Sequence, residues 1–487
     1  MMKIGFDNKK YLNMQSSHIM ERIAQFGDKL YLEFGGKLFD DYHASRVLPG
    51  FAPDSKLQML LQVKDQAEIV IVISANDIQE NKVRSDLEIT YEEDVLRLIK
   101  EFENTGLFVS SVVITQYQHS KEVDRFKAKL KRRKIAVYVH YYIDGYPTDT
   151  KRIISSEGFG KNDYIQTTRP LVVVTAPGPG SGKMATCLSQ LYHDHVHGIK
   201  AGYAKYETFP IWNLSLNHPI NLAYEAATAD LNDVNMIDPF HLQAYNEVTV
   251  NYNRDVEIFP VLKNMFEEIY GTCPYQSPTD MGVNMAGFCI QDDEVCQYAG
   301  KQEIIRRYFS SKTRYHKEEC SMEEVQKQKI VMEKAGVVET DRPVVLAARE
   351  KDRLTKSYAG AMEMQDGTIV TGKTTNFMGA CSSTLINALK YLANIEDKEL
   401  LIAPEAFGPI QKLKTEYLGS INPRLHTNEI LIALSLSAKT NEKAALAMEQ
   451  LKNLKNVQAH ITSGVSDVDL SVYRRLGIEL TYEAEKR

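Results

Sequence analysis

The chain reads as an α/β protein: a parallel, doubly wound sheet with a P-loop-like strand-loop-helix, followed by a smaller C-terminal α/β domain. Three observations predict this. Short β-branched runs alternate with longer, charged, periodic segments through the first 200 residues, the pattern of strands joined by crossover helices. Several of those runs are apolar at consecutive positions, as strands covered on both faces require. One of them leads through a glycine-rich turn directly into a helical pattern.

The strands are expected at 29–36, 69–74, 109–115, 135–142 and 171–175, and the helices between them at 54–63, 92–102 and 122–133. The third helix ends in Lys127, Lys129, Lys131, Arg132, Arg133 and Lys134, cations that complement the helix dipole on a solvated face. From 198 to 298 the pattern loosens into a stretch rich in Asn, Asp, Tyr, Pro and Met that carries the single Trp, Trp212. It is too long for a structureless loop, so it is expected to wrap the sheet as short elements and to contribute to a site. A polar connecting helix follows at 318–335, then Asp341-Arg342-Pro343 and a strand at 344–348. This places a domain break near 330, dividing the chain into 1–330 and 331–487. The second part reads as a hairpin (358–365 and 368–371) on a type I′ turn at Asp366-Gly367, helices at 381–392, 441–454 and 468–476, an apolar run at 430–437, and strands at 457–461 and 478–482.

Composition bounds the function. Of 487 residues, 43% are hydrophobic and 25% charged, an ordinary globular balance, and the net charge of −6 disfavours nucleic acid as the main partner. The apolar runs are too short to span a bilayer, and the opening Met-Met-Lys-Ile-Gly-Phe-Asp lacks the apolar core of a signal peptide. Cys187, Cys273, Cys289, Cys296, Cys320 and Cys381 form no C-x-x-C pair and read as free thiols. A cytoplasmic protein is expected, with no membrane partner.

Two segments compete as phosphate loops. Gly367-Thr-Ile-Val-Thr-Gly372-Lys373-Thr374 matches G-x-x-x-x-G-K-[ST] letter for letter. Its β-branched interior resists the inward-turned backbone such a loop needs, and it continues a hairpin strand, so the match reads as coincidence. Ala176-Pro177-Gly178-Pro179-Gly180-Ser181-Gly182-Lys183-Met184 is the poorer match in the better place, after a buried strand and before a helix. Gly178, Gly180, Ser181, Gly182, Lys183 and Thr186 are the candidate phosphate ligands, with Lys183 at the helix N-terminus. Pro177 stands where the first motif glycine belongs, and Met184 where a Ser or Thr would hold Mg²⁺. A Gly/Pro turn joining strand to helix is the plainer reading of the same residues. Asp77 and Asp144, each following a strand, fit a Mg²⁺ ligand by pattern and a turn residue by frequency.

Two further clusters carry candidate chemistry. His193 and His197 are i and i+4 on the helix after the loop and could share a metal with Asp233; they also suit a helix end closed by Gly198. Downstream, Glu207, Asp230, Asp238 and His241 could supply acid/base groups, while Asp238-Pro239 also fits a helix start. Ser277–Asn284 is a second polar segment.

The runs Ala201-Gly-Tyr-Ala-Lys-Tyr-Glu-Thr-Phe-Pro, Asn221-Leu-Ala-Tyr-Glu-Ala-Ala-Thr-Ala-Asp-Leu-Asn-Asp-Val-Asn-Met-Ile-Asp-Pro-Phe-His and Ser277-Pro-Thr-Asp-Met-Gly-Val-Asn-Met-Ala-Gly-Phe resemble bacterial uncharacterised protein family 0371, a domain-of-unknown-function family. The resemblance covers nearly the whole chain and includes the 176–183 loop and the Lys373-Thr-Thr segment. It implies a cytoplasmic bacterial protein with a large N-terminal and a smaller C-terminal domain, and no particular reaction. The leading expectation is an enzyme that binds a phosphorylated ligand, a nucleotide with Mg²⁺ among them, at the 176–183 loop, for phosphoryl transfer or hydrolysis. Lys183, Glu207, Asp230, Asp238 and His241 are its candidate catalytic residues. The alternatives are a metal-dependent hydrolase built on His193, His197 and the Asp230–His241 stretch, and a non-catalytic ligand-binding or assembly protein. The wide α/β surface suits a homo-oligomer.

Overall fold

The computed structural model describes residues 4–484 except 28, 37, 40, 85, 86 and 88, so the first three residues of the opening segment lie outside the described residues. Residue contacts divide the chain into two compact units, Ile4–Gly300 and a second that begins at Lys301.

The first unit carries strands β1 (Leu30–Phe34), β2 (Ala67–Ser74), β3 (Phe108–Tyr117), β4 (Ala136–Tyr141), β5 (Leu171–Thr175) and β6 (Gly202–Tyr206), a two-stranded ribbon of β7 (Asn235–Ile237) and β8 (Val250–Tyr252), and the short β9 (Gly282–Val283). Its helices are α1 (Asn8–Gln25), α2 (Ser55–Gln62), α3 (Tyr91–Asn104), α4 (Lys121–Arg132), α5 (Lys183–Val196), α6 (Pro219–Ala227), α7 (Pro239–Tyr245) and α8 (Asn253–Tyr270). Seven strands form one sheet in the order β9-β6-β1-β5-β2-β3-β4, and every neighbouring pair is parallel. β1, β2 and β5 are buried at every residue. The alternation of strand side chains sorts them between two faces. Leu30, Leu32, Ile69 and Ile71 pack with Ile19, Leu57, Val95 and Val123 of α1 to α4. Tyr31, Val70, Val172 and Val174 pack on the other face with Leu188 of α5 and Phe259 and Leu262 of α8.

The 198–298 segment departs from expectation in one respect. It is not only a wrap of short elements: it supplies β6 and β9 to the sheet and an 18-residue helix, α8. The Lys and Tyr residues of β6 hide its strand character from an apolar-run search.

The second unit begins within α9 (Asp293–His316) and continues through α10 (Met322–Lys334), α11 (Pro343–Thr355), β10 (Ala359–Glu363), β11 (Ile369–Lys373), α12 (Ala380–Leu392), α13 (Thr427–Ser437), α14 (Glu442–Glu449), β12 (Gln458–Ile461), α15 (Asp467–Arg475) and β13 (Glu479–Tyr482). Its mixed sheet has the order β11-β10-β12-β13, with only the β12–β13 pair parallel. The strand expected at 344–348 is the first turns of α11. Pro343 at the first helical position starts it, and Val344, Val345 and Ala348 are buried on one helical face. Five apolar residues are too few to reveal their period. The hairpin turn also differs: Gly367 takes a left-handed φ of 85° while Asp366 does not, so the connection is no type I′ turn. Among the described residues no helix is long and apolar enough to cross a membrane.

Candidate functional site

The topology fixes where a site can form. From β1 the chain passes over β5 to reach β2, and from β5 it passes over β1 to reach β6. Neighbouring strands that send their connections in opposite directions leave a crevice at their C-terminal ends, where parallel sheets bind ligands. A cavity of about 1030 Å³ lies there, lined by the segments that follow β1 and β5, by the ends of β3 and β4, and by residues of the 198–298 segment.

The 176–182 loop forms one wall. Gly180 and Gly182 adopt left-handed φ values of 76° and 90°, which their lack of a Cβ permits. A Cβ at Gly178 would stand 2.1 Å from the Tyr91 hydroxyl. Thr115, at the end of β3, donates its hydroxyl to the Ser181 carbonyl at 2.7 Å and fixes the loop from behind. The 14-residue α5 starts at Lys183, with its first N–H groups at the cavity wall. Lys183 is half-buried, lines the cavity, and has no ion-pair partner among the described residues. Arg84 and Arg97 line the same space and are held by the fully buried Asp94, at 2.9 and 2.8 Å.

The facing wall is a half-buried charge network. Lys205 Nζ lies 2.7 and 2.6 Å from the two Asp255 carboxylate oxygens and 2.9 Å from Glu207 Oε1. Burial works against the Lys205 ammonium, but Asp255, Glu207 and Glu33 outweigh it and hold the amine charged well above its ordinary range. Glu207 is the reverse case. Burial raises its carboxyl, Lys205 lowers it, Asp255 raises it again, and the result is about 7. A carboxyl poised there can give or take a proton near neutral pH. Asp233 faces Arg254, whose Nη2 donates to Oδ2 at 2.7 Å and whose Nε lies 2.6 Å from Oδ1. His140 also lines the cavity; burial pushes it down to about 4, so the ring is neutral.

The residues named from sequence fall into two groups. Gly178, Gly180, Gly182, Lys183, Glu207 and Asp233 line the cavity. Ser181 and Thr186 are fully buried and turn their hydroxyls to the Gly178 and Gly182 carbonyls, at 3.0 and 2.9 Å. Asp238 caps α7, accepting from the Phe240 and His241 N–H groups and from Thr279. His241 bonds Ser277 at 2.8 Å, and Asp230 is exposed on a short turn. None of the three lines the cavity. His193 is buried at the far end of α5, and His197 caps that helix and stacks on Tyr164. Neither histidine meets Asp233, and among the described residues no group of three His, Cys, Asp or Glu side chains is disposed to hold a metal. Asp77 pairs with Lys82 and Asp144 with Arg152, both away from the cavity lining.

Sequence reading missed Glu33, Arg84, Arg97, Arg254 and Asp255. One signal was visible: Glu33 is a lone carboxylate inside the otherwise apolar run of β1, and a buried charge in a strand needs a partner or a task.

Two family models cover the chain: "Domain of unknown function DUF1846, N-terminal" over residues 4–336 and its C-terminal counterpart over 340–486. The chain belongs to this DUF1846 family. A UPF0371 protein of Streptococcus sanguinis (strain SK36) is 57% identical over 99% of this chain and 98% of its own length. UPF0371 proteins of Streptococcus pneumoniae (strain JJA) and Streptococcus thermophilus (strain ATCC BAA-491 / LMD-9) are 56% identical over the same shares. These names agree with the resemblance drawn from the motifs and attach no reaction to the cavity.

Proposed function

We propose that the chain is an enzyme acting on a phosphorylated small molecule, by phosphoryl transfer or hydrolysis. In this reading the phosphate lies at the 176–183 loop and Glu207 serves as general acid–base. The observation that carries it is one cavity bringing together two unlike walls. One offers a helix N-terminus and Lys183, which has no ion-pair partner among the described residues; the other offers a half-buried carboxyl balanced near pH 7. Backbone N–H groups and a cation suit the anion; the carboxyl suits the proton that leaves the attacking hydroxyl or joins the leaving group. Met184 gives Mg²⁺ no hydroxyl, so charge on the phosphate would be met chiefly by Lys183, Arg84 and Arg97. Phosphorylated metabolites are cytoplasmic, and the chain is proposed to work there.

The test is thermal shift and calorimetry with pyrophosphate, nucleotides and sugar phosphates, with and without Mg²⁺, on wild type and Lys183→Ala. A bound ligand at 100 times its Kd adds about 2.7 kcal/mol to stability. Loss of one charge-assisted contact weakens binding about 10- to 100-fold, while the unliganded variant melts within a few degrees of wild type. Equal affinity in the two proteins would sink the proposal.

A further inference from the structure

Glu33 is an acidic residue of the cavity wall that the charge network leaves half used. It is 8% exposed and lines the cavity. Its Oε2 accepts a hydrogen bond from the Tyr203 hydroxyl at 2.6 Å. Among the described residues, no other donor reaches the carboxylate and no cation lies within 4 Å of it. A carboxylate has about four acceptor positions, and the oxygen that Tyr203 leaves is open to the cavity, where a ligand's donors can reach it. What enters the cavity is therefore expected to bring donors.

Position narrows the kind of donor. In the parallel ladders Glu33 pairs with Lys205 of β6 on one side and with Val174 of β5, two residues before the glycine loop, on the other. Glu33 and Lys183 both line the cavity. The Lys205 ammonium stands next in register to Glu33 but is already engaged by Asp255 and Glu207. Hydroxyls can donate to the remaining oxygen, and O–H···O⁻ bonds are short and strong. A pair of adjacent hydroxyls fits two acceptor oxygens, as it does where an acidic side chain at a strand end takes a ribose. At about 1030 Å³ the cavity also exceeds what a bare phosphate group fills.

We propose that Glu33 accepts the vicinal hydroxyls of the ligand, so that the site takes the phosphate ester of a polyhydroxylated unit, a sugar phosphate or a ribonucleotide. This rests on the phosphate reading of the 176–183 loop. Calorimetry on the full chain tests it with adenosine diphosphate against its 2′,3′-dideoxy counterpart, glucose 1-phosphate against cyclohexyl phosphate, and pyrophosphate alone. One hydroxylated ligand is expected to bind wild type at least about 10-fold more tightly than its deoxygenated counterpart, and which pair discriminates tells ribose from free sugar. In Glu33→Gln the discrimination falls to within about 2-fold, while pyrophosphate affinity is kept. Equal binding of both members of each pair to wild type, with pyrophosphate still bound, would overturn the role of Glu33 and leave the loop reading standing. Failure of all five probes, pyrophosphate included, would remove both. The wild-type ratios decide the matter even if the Gln variant fails to fold.

Discussion

The two glycine–lysine segments teach opposite lessons about a motif. Gly367–Thr374 has every letter of a phosphate loop, yet its residues form β11 of a hairpin, Lys373 points to solvent, and a Cβ at Gly372 would stand 2.4 Å from the Thr384 backbone. Its glycines serve a turn and a close helix–strand contact. The 176–183 segment has two letters wrong and the right surroundings: a fully buried parallel strand, two left-handed glycines, a helix start and a cavity. A phosphate loop is a backbone geometry, and side-chain letters report it only when strand and helix stand on either side.

The comparison can be broken or sharpened by substitution. The largest effect is expected from the carboxylate that holds two cations over the 176–183 cavity. Asp94→Ala removes the fully buried carboxylate that pairs with Arg84 and Arg97 and is expected to cost about 3–5 kcal/mol in denaturant unfolding; a cost below about 1 kcal/mol would mean the cations are not held this way. Next comes the ligand test: Lys183→Ala weakens phosphate binding as stated above, and Lys373→Ala leaves it unchanged. Equal losses in the two variants would erase the distinction. Gly182→Ala and Gly367→Ala both force a left-handed φ, at about 1–2 kcal/mol each. A Cβ at Gly182 also meets Thr115 at 3.0 Å, whereas Gly367 has nothing within 4 Å, so the first is expected to be the more destabilising.

A further effect is a pH dependence. The Glu207 carboxyl rises from an ordinary 4.5 to about 7 in the folded chain. The folded state thus keeps a proton that the unfolded chain releases between those values. The stability this contributes is complete below 4.5 and is lost as pH rises through 7. Glu207→Gln, which mimics the neutral acid, is expected to melt with wild type near pH 5 and a few degrees above it at pH 8. Parallel melting curves at both pH values would place the Glu207 carboxyl back in the ordinary range.

Much of the fold was legible. The strand expected at 171–175 is β5, Leu171–Thr175, and the strands at 69–74 and 109–115 lie inside β2 and β3, because fully buried parallel strands leave unbroken apolar runs. Asp238-Pro239 opens α7 as its capping chemistry demands. β6 was not legible, since its sequence Gly-Tyr-Ala-Lys-Tyr carries a half-buried charge and two buried phenols. Nor was α11, whose apolar opening carries no clear period.

The sequence by itself determined the alternation of strands and helices, the loop between β5 and α5, and the family to which the chain belongs. Each is written in contiguous residues, where periodicity, glycine spacing and long motifs act locally. The tertiary structure alone decided which side chains meet. Crossovers in opposite directions from β1 and β5 bring Glu33, Lys183, Glu207 and Asp255 to one cavity and leave His193, His197, Asp238 and His241 outside its lining. Distance along the chain says little about distance across a parallel sheet. There, partners are set by strand order, and the pKa of Glu207 is set by the neighbours that order supplies.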